Sequence, residues 1–171
     1  MKRLRALLPI LPVLILGGVI VSAACQGKQR HPSRYLIPKG YIGWVRIDFK
    51  VNDAPPLPIE DGHYLFKFPP SGHLQTSSDI EYGWSSSDDF YYYSGDDRQQ
   101  LKETMWGGGG MVWGQSNGSS QDGSNNVTAI FENFFVGTEE QFKKCGNERD
   151  ENYDLKIGSL DETTLKKCTG K

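Results

Sequence analysis

Gly40-Tyr41-Ile42-Gly43-Trp44-Val45-Arg46-Ile47-Asp48-Phe49-Lys50-Val51 is built on a period of two. Tyr41, Val45, Ile47, Phe49 and Val51 fall on one side and Arg46, Asp48 and Lys50 on the other, because successive side chains of a strand point to opposite faces. The stretch predicts a half-buried β-strand over 41–51. Three prolines within Asn52-Asp53-Ala54-Pro55-Pro56-Leu57-Pro58 end it, since proline has no amide to give to a ladder.

The same reading extends downstream. Tyr64, Phe66 and Phe68 alternate with His63, Leu65 and Lys67, and Pro69-Pro70-Ser71-Gly72 closes that strand. Further strand-like runs lie at 73–77, 80–84, 90–94, 111–114 and 127–136. Many short strands at turn-punctuated spacing predict a mainly β protein, a β-sandwich or barrel, of which the sandwich is the expectation carried forward. The Gly/Ser/Asn-rich segment 115–126 reads as a mobile loop.

The last third changes period. Thr138-Glu139-Glu140-Gln141 and Ser159-Leu160-Asp161-Glu162 both fit a capping box, and each opens a short run ending in Lys-Lys-Cys. Acids at the start and lysines at the end suit the helix dipole. Two short helices are therefore expected as a C-terminal appendix over 138–171, following a sandwich over 35–137.

Composition bounds the class. The 171 residues carry 19 Lys+Arg against 21 Asp+Glu, with 37% hydrophobic and 12% aromatic residues. That length fits one domain, and the aromatic content excludes a disordered chain. The absence of a basic excess argues against nucleic acid as a partner. The average conceals an asymmetry: Lys2, Arg3 and Arg5 precede an uncharged run from Ala6 to Ala24 interrupted by Pro9, Pro12, Gly17 and Gly18. This is a targeting segment, and residues 1–24 are set aside as a signal peptide. The remainder holds 16 basic against 21 acidic residues, a side-chain balance of −5. Residues 25–34, polar after the cysteine, read as a tether.

Ser22-Ala23-Ala24-Cys25 resembles the lipobox of bacterial lipoproteins, with Ser22 where that motif usually has leucine. The resemblance implies cleavage before Cys25 and acylation of its thiol and new amino terminus, palmitate included, since several chains anchor where one is marginal. Gln26, by the family's sorting rules, implies the outer membrane where the organism has one, on its periplasmic face or surface, and otherwise the extracellular face of the cell membrane. Three cysteines in an exported chain leave one over; lipid on Cys25 removes the oddness, and Cys145 and Cys168 are expected to form a disulfide stapling the two helices.

Asp61-Gly62-His63-Tyr64-Leu65-Phe66-Lys67-Phe68-Pro69-Pro70-Ser71-Gly72 resembles a pattern of transthyretin-like, carboxypeptidase-regulatory-type sandwiches. The segments at Tyr35–Val45, 54–62 and 133–142 are similar to an uncharacterised family of bacterial exported proteins with a domain of unknown function, over roughly 35–145. Neither resemblance supplies an activity.

Catalytic patterns fail on context. Gly114-Gln115-Ser116-Asn117-Gly118 matches the nucleophile elbow, yet turn-forming residues follow it where a helix is required, and His31, His63 and His73 all precede Ser116. Gly107–Gly110 lacks the Lys-Ser/Thr of a phosphate loop. The acids Asp79, Glu81, Asp88, Asp89, Asp96 and Asp97 have no calcium-loop spacing, and His63 and His73 have no further ligand beside them, so neither a metal nor another cofactor is expected.

What remains is an aromatic surface. Trp84, Tyr91, Tyr92, Tyr93, Trp106 and Trp113 lie among Ser, Gly and Asp and are candidates for a ligand or partner surface, a glycan or an envelope protein. The expectation is a lipid-anchored cell-envelope protein that is not an enzyme and acts as a binding or structural module. The alternatives are a glycan-binding module using these rings, or a carboxylate-dependent hydrolase.

Overall fold

A computed structural model describes residues 29–83, 85, 87–103, 106–147 and 154–170. Residues 1–24, expected to be a signal peptide, Cys25 and Trp84 lie outside the described residues.

Two mixed sheets face each other. The first has strand order β3-β4-β1-β6-β7, formed by Ile59–Glu60, His63–Lys67, Ser33–Pro38, Asp89–Ser94 and Asp97–Gln100. The second has order β10-β2-β9-β8, formed by Gly158–Ser159, Gly43–Phe49, Val127–Val136 and Val112–Gln121, with β5 (His73–Gln75) alongside the C-terminal half of β2. β1 is central and runs parallel to both β4 and β6. Parallel neighbours need a crossover, and here each crossover passes through the opposite sheet, by β2 on the way to β4 and by β5 on the way to β6.

The strand expected over 41–51 is β2. It is shorter than expected because Gly43 (φ 148) and Lys50 (φ 58) leave extended geometry at its ends. Gly43 also meets β10 so closely that a Cβ there would lie 2.2 Å from the Gly158 carbonyl oxygen. Val45, Ile47 and Phe49 are buried, as the alternation requires. The Asp61-Gly62 pair turns β3 into β4 with both residues at positive φ, and Pro69–Gly72 turns the chain out again. Residues 61–72 therefore form a turn, a strand and a second turn.

The main core lies between the sheets. Tyr35 and Ile37 of β1, Phe66 of β4 and Phe90 of β6 meet Val45, Ile47, Phe134 and Val136 of β2 and β9. The outer face of the second sheet is apolar as well, where Trp44, Trp113 and Phe135 are covered by Phe142, Leu160 and Leu165. The helices α1 (Glu139–Cys145) and α2 (Glu162–Thr169) thus form a third layer. Buried indole N–H groups need acceptors: Trp44 Nε1 donates to the Gly146 carbonyl at 2.8 Å and Trp113 Nε1 to the Gly137 carbonyl at 2.7 Å.

Three local expectations are corrected. Segment 115–126 is mostly strand, because β9 offers β8 a ladder as far as Gln121 and only 122–126 turns. Residues 80–83 form no strand; Ile80 packs against the core from a loop. α2 starts at Glu162 with Asp161 as its cap, donated to by the Thr164 amide at 2.7 Å, because Ser159 is engaged in β10 against Gly43. The first capping box forms as read, with Thr138 and Gln141 exchanging bonds.

Cys145 and Cys168 are disulfide-bonded, joining α1 to α2. A bridge across 23 residues contributes about 3 kcal/mol in the chain-entropy description. A Cys145→Ala/Cys168→Ala double variant should lose about that much in urea denaturation while keeping its β circular-dichroism spectrum; unchanged stability would show that the third layer holds without the bridge.

Candidate polar cleft between the sheets

The apolar filling stops at one end of the sandwich. β9 pairs with β2 so that Ile47 stands opposite Glu132 and Val45 opposite Phe134. Directly opposite residues share a face, so Ile130, Glu132, Phe134 and Val136 all point between the sheets. A glutamate thus occupies a core-facing position. Asn117 of β8 stands opposite Glu132 and points the same way.

Above Glu132 opens a cleft of about 260 Å³. Phe49, Phe66 and Leu57 form its apolar base, Gln115, Ser116 and Asn117 one wall, and Arg30, His31 and the loop Asp79–Gly83 the other. Tyr64 and Tyr82 contribute further rings, Tyr82 with 57% of its surface exposed.

The hydroxyl that meets Glu132 is held by a stack. Tyr35 lies in register with Phe66 and Phe90 across β4-β1-β6. Its ring is sandwiched between theirs, with centroids 4.8 and 4.6 Å away and planes within 17° and 6°, and it meets Phe134 edge-on at 5.4 Å. Its hydroxyl donates to Glu132 Oε1 at 3.3 Å. Burial pushes the Glu132 carboxyl up to about 7, against the smaller opposing pulls of the Tyr35 hydroxyl and the charge of Arg30; Asp88 adds to the upward shift. Burial likewise raises the Tyr35 hydroxyl well above its ordinary value, with Glu132 adding to the shift.

The other wall is a set of closed pairs. Arg30 is paired with Asp88, which also accepts from the Ser33 amide at 2.9 Å. Glu81 accepts from the His31 amide at 3.0 Å and lies 3.0 Å from His31 Nδ1, contacts that hold its carboxyl below the usual range; the Tyr64 hydroxyl donates to it at 3.3 Å. His31 and Ser116 line the same cleft, but His31 is turned to Glu81, and Ser116 lies inside β8, not on a turn into a helix. Among the described residues no group of three His, Cys, Asp or Glu could hold a metal ion.

The aromatic candidates do not converge. Tyr91 and Tyr93 lie on the outer face of the first sheet, where Lys67 sits 5.1 Å from the Tyr93 ring and the Tyr93 hydroxyl bonds the Phe68 carbonyl. Tyr92 points the other way, packs against the main core and bonds the Tyr41 carbonyl. Burial pushes its hydroxyl up to about 12. Trp113 is fully buried beneath α1, stacked on Phe142 at 5.8 Å, and offers no ring to solvent. Trp106, 59% exposed, covers Trp113 at 4.8 Å. The placed rings are thus divided among the outer face of the first sheet, the main core and the helical layer.

Glu132 and Tyr35 were not among the sequence candidates. For Glu132 the signal was available: alternation through Ile130-Phe131-Glu132-Asn133-Phe134 places it on the core face. Tyr35, Arg30 and His31 have no such signal: Arg30 and His31 precede β1 in the stretch read as tether, and Tyr35, read as the start of the sandwich, lies in β1, where no alternation marks it.

Residues 29–148 match a family of unknown function (DUF6843). No curated protein matches the sequence. A crystal structure of a "Putative Lipoprotein from Bacillus anthracis" shares the fold with a TM-score of 0.53 at 22% identity, over 82% of this chain and 90% of that one.

The raised Glu132 sets a pH dependence. A carboxyl whose folded value lies above its unfolded one is held protonated by folding, so stability falls as pH rises from about 4.5 to about 7 and then levels off. The shift corresponds to about 3 kcal/mol, reduced to on the order of 2 by the cleft's access to water. Glu132→Gln should therefore raise Tm by a few degrees at pH 8 and much less at pH 5; an equal change at both would place the effect in packing.

Proposed function

The chain belongs to the DUF6843 family of unknown function, and on that premise we propose a lipid-anchored, non-catalytic module of the cell envelope that holds a small polar ligand in the cleft above Glu132. The observation that carries the reading is the core-facing carboxyl itself. A glutamate between Ile130 and Phe134 costs folding energy, and an apolar residue there would close the sandwich. The cost is intelligible where the group faces a ligand. The volume lies just below the usual range for drug-sized ligands, which favours a small one.

The anchor rests on the lipobox-like Ser22–Cys25 and on a shared fold with a protein described as a lipoprotein. Cys25 stands four positions before Gln29, a reach of at most about 14 Å when extended. Lipid on Cys25 would therefore hold the Arg30–His31 wall of the cleft beside the bilayer. The non-catalytic part of the reading is supported by the position of Ser116 within a strand and by the closed pairing of His31 with Glu81.

Cys25→Ser should remove the acyl mass from the intact protein and shift it from the membrane to the soluble fraction; an unmoved protein would refute lipidation. Native mass spectrometry of protein gently extracted from membranes should show a small adduct that Asn117→Trp, which fills the cleft, abolishes. No adduct, or one that survives the substitution, would refute the cleft as the binding site.

A further inference from the structure

We propose that the cleft takes an organic ammonium group, whose charge pairs with the Glu132 carboxylate. This rests on the cleft being the binding site and names the chemistry of its ligand.

Charged and titratable groups face Glu132 from several of the described elements around it. The segment before β1 supplies Arg30 and His31, and β1 supplies Tyr35. The loop after β5 supplies Asp79, Glu81 and Tyr82, with Asp88 behind Arg30, and β4 supplies Tyr64. β8 offers only the neutral Gln115, Ser116 and Asn117, and β2 only Ile47 and Phe49. Arg30 is paired with Asp88 and Asp79 with Lys50 at 3.0 Å, while Glu81 is engaged by the backbone amide and ring of His31. Among the described residues, Glu132 is the acid of this set with no Arg, Lys or His nitrogen at ion-pair distance, Arg30 acting on it only through its charge; its hydrogen-bond partner is the neutral Tyr35 hydroxyl.

A carboxyl in that position keeps its proton unless a cation arrives. An inorganic divalent ion is a poor fit, since among the described residues no group of three His, Cys, Asp or Glu could hold one. An ammonium carrying small carbon substituents fits the rest of the lining: Phe49, Phe66 and Leu57 can receive the carbons, and the rings of Tyr64 and Tyr82 in the lining favour a cation. Such a group could be the headgroup of a membrane lipid or a free amine. The short reach from Cys25 to the cleft makes the first accessible without detachment from the bilayer.

The test uses the full chain carrying Cys25→Ser, titrated with choline chloride and with ethanolamine by calorimetry at pH 6 and pH 8. Choline carries a fixed charge, so its pH dependence reports the protein. Affinity should be about tenfold higher at pH 8, the ratio of ionised Glu132 at the two pH values for a midpoint of about 7. Glu132→Gln should lose binding at both pH values while its thermal transition stays cooperative. Co-sedimentation with phosphatidylcholine and phosphatidylethanolamine vesicles, but not with phosphatidylglycerol vesicles, would identify a headgroup as the source; binding of the free amines alone would identify a soluble one. Absence of amine binding, equal binding at the two pH values, or binding retained by Glu132→Gln would overturn the proposal. N-acetylglucosamine binding that requires Glu132, without amine binding, would overturn the ammonium while leaving the cleft as a ligand site.

Discussion

The register of β9 against β2 decides which side of the second sheet each residue from Val127 to Val136 occupies. With Val45 opposite Phe134 and Trp44 opposite Phe135, one strand serves two cores: Phe134 and Val136 fill the space between the sheets, and Phe135 lies under the helices. A slip by one residue would exchange those faces. It would bring Asn133 into the main core and turn Glu132 out to solvent. The apolar requirement of both cores holds the register, and the glutamate is carried inside as a consequence.

This arrangement explains why the cleft lies where it does. The helical layer covers Trp44, Trp113 and Phe135, and the far half of the β8-β9 hairpin extends past it. There the inward positions turn polar, with Glu132, Asn117 and Ser119 in place of aliphatic residues. The sheets cannot close on a polar lining without losing its hydration, and the space stays open. On the opposite sheet the Phe66-Tyr35-Phe90 stack fixes the hydroxyl that reaches Glu132. A rigid stack on one side thus faces a protonatable group on the other.

Much of the fold was legible in the chain, and the exceptions share a cause. Strands 41–51, 63–68 and 127–136 alternate because each has one face in the main core. β1 does not alternate: Leu36 points outward yet is buried under its neighbours, as befits a central strand with parallel partners on both sides. Asp97–Gln100 and the distal half of β8 are exposed, so their strand state comes from a hairpin partner and leaves no mark on composition. The aromatic residues drew attention by number, but ring content does not tell a stack that locks a core, as at Tyr35, from a cover over helices, as at Trp106. The residue that shapes the candidate site is a lone acid in an apolar period.

Glu132 stands half-buried on the inner face of the second sheet and, in the unliganded protein, is uncharged below about pH 7. Following the side-chain carboxyl carbon of Glu132 by NMR across a pH titration tests this most directly. A midpoint near 7 is expected. A midpoint near the ordinary glutamate value of 4.5 would mean that the carboxyl is fully hydrated in the folded protein, and would contradict the cleft's chemistry.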